Sequence, residues 1–419
     1  ENAWPAICPE ASGAIGGMET QAWAFAQALQ RLHVCQVSFV VCAPDRFQRR
    51  VVQDITVLNR PAFIENLRRD VAQRCTISHR PPFLRLQRWS PSLLWKLPLL
   101  AATRPFRSDE AERELRRRFY QGIDADVIVT YGANRISTDV ISAARKAGHR
   151  GVISCASNDD LREEFVPGST FVNDYGEPAH DVARGLTEAD AIFVQTEWQQ
   201  QLAKTNLGRD AFVLPNPISP QWTQWAADAA QLLTDAGLPP TQLPEQFVLW
   251  TGRTDRFHKR PAMALQVAAA LPAIPFLMVL NVTNQEIEQE LRDTAPANVQ
   301  FLAPLPHPAF IALISRAAVF LNTGSIEHEG FPNVFLQAGQ LGVPVASAIC
   351  DFGILSETGI GRACRDDLPS LVRCVQEMLL QPRENHCRQL HDRFGEEVVA
   401  RTFFQLIQRV AAANGPETK

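Results

Sequence analysis

The sequence of 419 residues has no closely spaced cysteine pairs. Its nine cysteines, at 8, 35, 42, 75, 155, 350, 364, 374 and 387, are odd in number and scattered. That excludes a zinc framework or a CxxC redox site and leaves the reduced thiols of a cytoplasmic protein as the expectation. Glu1 is not followed by a basic, apolar and small-residue leader, and without an initiator Met the reading is a trimmed start with no export signal. Charge of neither sign dominates: 41 Lys and Arg stand against 45 Asp and Glu, with 46% hydrophobic and 21% charged residues. Disordered and fibrous classes are thereby excluded, and nucleic acid is not among the expected partners. No carboxylate and histidine spacing has the form of a metal site, so no metal and no other cofactor is expected. One long uncharged run, 261–285, contains Pro272 and Pro275 together with Gln266, Asn281 and Asn284. It reads as helix, turn and strand rather than as a membrane span.

What is present is a repeated alternation of strand and helix. A glycine-rich loop at 13–17 leads into a helix from Met18 to about Arg31, with Trp23, Ala24, Ala26 and Leu29 among its apolar positions, and then into the strand-like run 37–43. This is the opening of a βαβ unit. Apolar, β-rich runs return at 126–130, 151–154 and 191–194, and a second series begins at 247–250 and continues at 276–280, 299–302, 319–321 and 343–346. At this length the pattern predicts two α/β domains, each a doubly wound, Rossmann-like sheet, facing each other across a ligand cleft. The boundary is placed at Pro215-Asn216-Pro217, so that 1–214 and 215–400 form the domains and a terminal helix over 401–419 returns to the first. Between 41 and 120, 17 Lys and Arg outnumber 8 Asp and Glu, which marks a basic and apolar insertion over about 46–120. Within it, 83–107 mixes Arg85, Arg88 and Lys96 with Trp89, Leu93, Leu94, Trp95 and Leu97. This suits either a membrane surface or anionic acceptor, or a solvated helical insertion with an apolar inner face.

The residues that carry chemistry fall in the second series. The run 247–250 ends in Thr251-Gly252-Arg253, followed by Lys259 six residues on. Glycine at a strand end permits close backbone approach, and two cations on the following loop can bracket a diphosphate whose charge grows as it leaves. After 319–321 comes the loop closing in Glu329-Gly330-Phe331-Pro332-Asn333-Val334, with Pro332 suited to a first helical turn and Asn333 to a cap. The free amides of such a helix start suit phosphate or sugar oxygens.

Together these pieces are similar to the donor-binding signature of family 4 glycosyltransferases, retaining enzymes of the GT-B fold. The similarity runs in order through Gly16-Gly17-Met18-Glu19, Val194-Gln195-Thr196-Glu197, Leu214-Pro215-Asn216-Pro217, Gly252-Arg253, Lys259 and the Glu329 segment. It implies metal-independent transfer of a hexosyl group from a nucleotide sugar, UDP or GDP being the expected carrier. The acceptor would be the hydroxyl of a glycan, a lipid-linked sugar or a small molecule, in polysaccharide biosynthesis at the cytoplasmic side of a membrane. The resemblance places the donor on Gly16, Gly17, Gly252, Arg253, Lys259, Leu305, Glu329, Gly330, Phe331, Pro332, Asn333, Val334 and Gln337. Arg253 and Lys259 would hold phosphate, and Glu329 the transferred sugar.

Two departures bear on this. Gln337 stands where the family has a second Glu for the donor ribose, and Cys155-Ala156-Ser157-Asn158-Asp159-Asp160 stands where many relatives place a His. Asn158 and Asp159, with Glu19, are assigned to the acceptor side, Asp159 as a group able to orient or deprotonate the attacking hydroxyl. The alternative is a capping cluster for a helix near Leu161. His258, His307 and His328 lie close by and are taken as incidental. Rival readings are an NAD-dependent oxidoreductase, through Gly13-Ala14-Ile15-Gly16-Gly17 and Asp45, a sugar-nucleotide epimerase, and a catalytically weak GT-B protein serving as sensor or assembly partner.

Overall fold

A computed structural model of the chain describes residues 3–8, 17–43, 47–72, 74–77, 84–86, 88–106, 108–173, 176–381 and 387–413. The second half is built on one six-stranded sheet. Strands Val248–Arg253, Phe276–Asn281, Val299–Leu302, Val319–Asn322, Val345–Ser347 and Gly361–Ala363, counted one to six, lie in the order 3-2-1-4-5-6. Every neighbouring pair is parallel. Alternate residues serve opposite faces: Val248, Trp250 and Met278 pack toward helices Pro261–Ala270 and Leu368–Leu380, while Leu249, Leu277 and Phe320 pack toward His307–Arg316 and Asn333–Gln340. Both faces are covered, which is why the strands read as continuous apolar runs. The uncharged stretch 261–285 resolves into helix Pro261–Ala270, a turn and strand Phe276–Asn281.

The first half departs from the single doubly wound sheet that was expected. Strands Val127–Tyr131, Arg150–Ser154, Ala191–Val194 and Phe212–Val213 form a four-stranded parallel sheet in chain order. Ser38–Val41 belongs to a separate three-stranded sheet, parallel to Ile55–Asn59, which pairs antiparallel with Arg49–Val52. The insertion is therefore partly sheet and not wholly helical. Its hairpin closes because Gln53 and Asp54 both take left-handed backbone (φ 51° and 63°), the geometry of a tight two-residue turn. Ile55, Val57 and Asn59 alternate inward, and Asn59 Oδ1 accepts from Ala43 N–H at 2.9 Å. Helices Phe63–Ala72, Leu93–Thr103 and Asp109–Gln121 complete the insertion. Arg113, Arg116 and Arg117 of the last converge on Asp139, which is fully buried in helix Arg135–Ala147, so part of the basic excess is neutralised internally.

Two crossings run side by side between the halves. The chain leaves the first at 214–218, where Ile218 N–H donates to Phe394 O at 2.8 Å, and returns into helix Glu396–Ala412. That helix buries Val399, Phe403, Leu406 and Val410 against Phe25, Leu29 and Phe193 of the first half.

Candidate active site

In an open parallel sheet of order 3-2-1-4-5-6, the loops after strands one and four leave in opposite directions, and the crevice between them is the usual ligand position. Here strand Val248–Arg253 delivers Gly252, Arg253 and the turn to Lys259, and strand Val319–Asn322 delivers the loop to Glu329. Two hydroxyl-centred ties knit the loops. Thr323 Oγ1 accepts from Trp250 Nε1 at 2.8 Å and donates to Lys259 O at 2.6 Å, and Arg260 Nε donates to Thr323 O at 2.7 Å. Asp255 Oδ1 accepts the backbone N–H groups of His258 and Lys259 at 2.7 and 2.8 Å, fixing the turn that presents both side chains. Glycine is needed twice in this frame. A Cβ on Gly252 would lie 2.7 Å from the Trp250 ring and 2.8 Å from Lys259 Cβ, and one on Gly324 would lie 2.8 Å from Glu329 Oε2.

The charged groups join into one chain. Lys259 Nζ donates to both oxygens of Glu329, at 2.6 and 2.7 Å. His258 Nε2 lies 3.0 Å from Glu329 Oε2, and its Nδ1 lies 2.5 Å from Arg253 Nη2. Because guanidinium only donates, His258 accepts at Nδ1, carries its proton on Nε2 and donates it to the carboxylate. Burial by itself would raise the Glu329 pKa, but the Lys259 charge and the His258 hydrogen bond outweigh it and bring the group down to about 2. Glu329 is thus an ionised carboxylate at neutral pH, 6% exposed, with its charge matched inside the site.

The first half closes over this network through polar contacts. Asn158 Nδ2 donates to Ile326 O at 2.5 Å, and His328 Nδ1 lies 3.0 Å from Asp159 Oδ1, which also pairs with Arg162. Gln195 Oε1 accepts Phe331 N–H at 2.8 Å, while Gln195 Nε2 donates to Gln21 and Asn216. Asn216 in turn bonds Asn333, whose Nδ2 reaches Gly17 O. A Cβ on Gly330 would lie 2.3 Å from Ala156 O, so glycine there lets the two halves meet.

Several sequence assignments change in place. Gly16 lies outside the described residues, as do Gly13 and Asp45 of the oxidoreductase rival. Phe331, placed in the donor set, has its amide taken by Gln195 and its ring buried against Phe394. Pro332 occupies the N-cap position of helix Asn333–Gln340 without a capping hydrogen bond and Asn333 begins it, the reverse of the expected roles, and the first amides of such a helix have no intrahelical acceptor. The capping cluster considered for Asn158 and Asp159 is made instead by Ser157 and Asp160. Asp160 also accepts Ala133 N–H at 2.8 Å, binding two loops of the first half together, and burial raises its pKa to about 6. Asn158 is buried as a joint between halves, while Asp159 faces His328. Glu19 is half-buried on helix Gly17–Leu32, and Leu305 is partly buried against the core of the second half.

Of the three histidines set aside as incidental, two are joined to the charged groups and the third pairs with Gln337. His258 links Arg253 to Glu329, and His328 links Asp159 to the Glu329 loop. His307 lies 3.4 Å from Gln337 Nε2, and burial lowers its pKa to about 4. Gln337 itself is buried, and its Oε1 has no hydrogen-bond partner among the described residues. Gln195 and Asp255 were missed as well. The signal for Gln195 was its place directly after an apolar strand end, and for Asp255 its position three and four residues before His258 and Lys259. Among the described residues no cluster of His, Cys, Asp and Glu has the make-up of a metal site. An Asp-x-Asp triplet, Asp124-Ala125-Asp126, precedes strand Val127–Tyr131 and so sits at the end of the sheet away from the crevice.

No protein-family model matches the sequence, and no curated protein matches it. Solved structures do. The trehalose 6-phosphate synthase of Burkholderia multivorans superposes with a TM-score of 0.58 at 16% identity, over 96% of this chain and 97% of that one. A glycosyltransferase involved in avilamycin A biosynthesis gives 0.57 at 14% identity, over 96% and 91%. Anabaena HepE, solved with UDP and glucose, gives 0.56 at 15% identity, over 89% and 99%. At these identities the likeness is one of architecture, and in architecture the chain is a GT-B protein.

Proposed function

We propose that the chain transfers a hexosyl group from a nucleotide sugar to an acceptor hydroxyl, with the donor held on the second half. The observation that carries this reading is the linked set Arg253, His258, Glu329 and Lys259 at the switch point of a 3-2-1-4-5-6 sheet, with helix Asn333–Gln340 starting four residues after Glu329. Diphosphate oxygens would compete with Glu329 for Lys259 and take up Arg253. Glu329, ionised and partly released, then accepts hydrogen bonds from sugar hydroxyls, while the cations stabilise charge on the leaving phosphate. Asp159, held by His328 and Arg162, would orient the acceptor from the opposite wall. Gln337, paired with a neutral His307, supplies an uncharged amide for the ribose in place of a carboxylate.

On the resemblance to family 4 enzymes we extend the proposal to retention of configuration, a UDP or GDP carrier, no metal, and a glycan or lipid-linked acceptor on the cytoplasmic side. The division into domains 1–214 and 215–400, with the last helix on the first, belongs to the same proposal. No helix among the described residues is long and apolar enough to cross a membrane.

The test is a thermal-shift screen of UDP-, GDP-, ADP- and dTDP-sugars with NAD as control. A ligand at one hundred times its Kd adds about 2.7 kcal/mol of stability. Stabilisation by a sugar nucleotide that Arg253→Ala abolishes supports the reading. Stabilisation by NAD alone, or a sugar-nucleotide effect unchanged in that variant, overturns it.

A further inference from the structure

The helix Leu93–Thr103 has an unusual distribution of polarity. Leu93, Leu97 and Leu100, at helical spacing, pack on Val71 and Cys75. The opposite stripe holds Leu94, Trp95, Pro98, Ala101 and Ala102, all exposed, with Leu94 at 69% and Trp95 at 51%. That stripe contains no polar side chain. A helix on the surface of a globular protein normally turns its polar face outward, and a contiguous apolar face marks a contact surface. The single charge of this helix, Lys96, is turned aside to Asp70, with Nζ 2.6 Å from Oδ2.

The residues that flank the helix in sequence bear on what the stripe contacts. Trp89, 60% exposed, precedes the helix, and Arg88 and Arg104 stand exposed on either side of it in sequence. Among the described residues no carboxylate pairs with either arginine. Exposed tryptophan and leucine bordered by unpaired arginines are the make-up of a segment lying in the interface of a bilayer with anionic headgroups. A second copy of the chain fits less well, because an antiparallel two-fold contact through this stripe sets the Arg88 end of one copy against the Arg104 end of the other, like charge against like. We propose that the outer face of Leu93–Thr103 docks the molecule on an anionic lipid surface, with Leu94 and Trp95 in the acyl boundary and Arg88 and Arg104 at the headgroups.

The full chain is sedimented with extruded vesicles of phosphatidylcholine alone or mixed with phosphatidylglycerol, at low and high ionic strength, with tryptophan emission read in parallel. Binding is expected to the phosphatidylglycerol vesicles, with a blue shift, and to weaken with salt. Leu94→Gln with Trp95→Gln is expected to weaken partitioning at least about tenfold. Arg88→Gln with Arg104→Gln should remove roughly fivefold per arginine and abolish the preference for anionic lipid. Trp89→Gln serves as a second apolar variant, and unfolding curves verify that each variant folds. Absence of binding at low salt, or binding unchanged by the apolar variants, overturns the proposal. So does a dimer in light scattering that Leu94→Gln with Trp95→Gln dissolves while vesicles bind nothing. No donor is present in these measurements, so their outcome is independent of the transferase reading.

Discussion

Replacing Lys259 by Ala tests the site without knowledge of the substrate. Lys259 contacts both Glu329 oxygens, and the two side chains are 22% and 7% exposed. Burial pushes the Glu329 pKa up, and Lys259 and His258 overcome that to hold it at about 2 against an ordinary 4.5. That difference corresponds to roughly 3 kcal/mol of stability carried by the ionised group. Because the folded-state value is depressed, this stability is present above about pH 4.5 and is lost as pH falls toward 2. Lys259→Ala leaves the carboxylate buried without its cation, so a loss of about 2 to 4 kcal/mol is expected at pH 7, at the lower end of buried pairs because Lys259 is partly solvated. In that variant burial acts on Glu329 with less opposition, its pKa rises, and the deficit shrinks as the carboxylate takes up a proton on acidification. Glu329→Gln in the Lys259→Ala background removes the stranded charge and should recover at least half of the loss. Urea unfolding of the four proteins of this cycle at pH 7 and pH 5 gives the coupling directly. A deficit below about 0.5 kcal/mol, no recovery in the double variant, or a deficit unchanged between the two pH values refutes the electrostatic account.

Arg253→Ala is expected to reduce transfer by roughly two to three orders of magnitude, the scale of one lost transition-state contact, and turnover near wild type would remove Arg253 from the phosphate site. His258→Ala, which cuts the link from Arg253 to Glu329, should lower kcat at least about tenfold. His258→Gln, with one acceptor and one donor, should restore part of it, and equal loss in both variants would refute the bridging role. Gly330→Ala places a methyl group 2.3 Å from Ala156 O, so a loss of roughly 1 to 3 kcal/mol is expected from chemical denaturation, and unchanged stability would show that the halves need not meet there. Asp159→Asn weakens the hold on His328 and Arg162 and should reduce kcat more than KM, whereas near-normal kinetics would leave Asp159 a purely structural residue.

The sequence alone carried the strand pattern of the second half, because strands buried on both faces are uninterrupted apolar runs that stand out between helices. It also put Lys259 and Glu329 on loops that follow two such runs, whereas Arg253, read as part of the first loop, is the last residue of its strand. The first half was less legible. The Gln53-Asp54 turn lacks glycine, so the hairpin that draws Ile55–Asn59 beside Ser38–Val41 leaves little local trace.

Tertiary structure decided the rest, because these features depend on residues far apart in the chain. Strand order placed the two loops on either side of one crevice. Only then did Lys259 and Glu329, 70 positions apart, become a pair, with His258 turned from a neighbour of Lys259 into the bridge to Arg253. Folding across the two halves brought Gln195 to the Phe331 amide and Asp159 to His328, contacts that span 136 and 169 positions. No periodicity in the sequence can encode such separations. Residue type and local pattern determined which groups were available, and the packing of two α/β halves determined which of them touch.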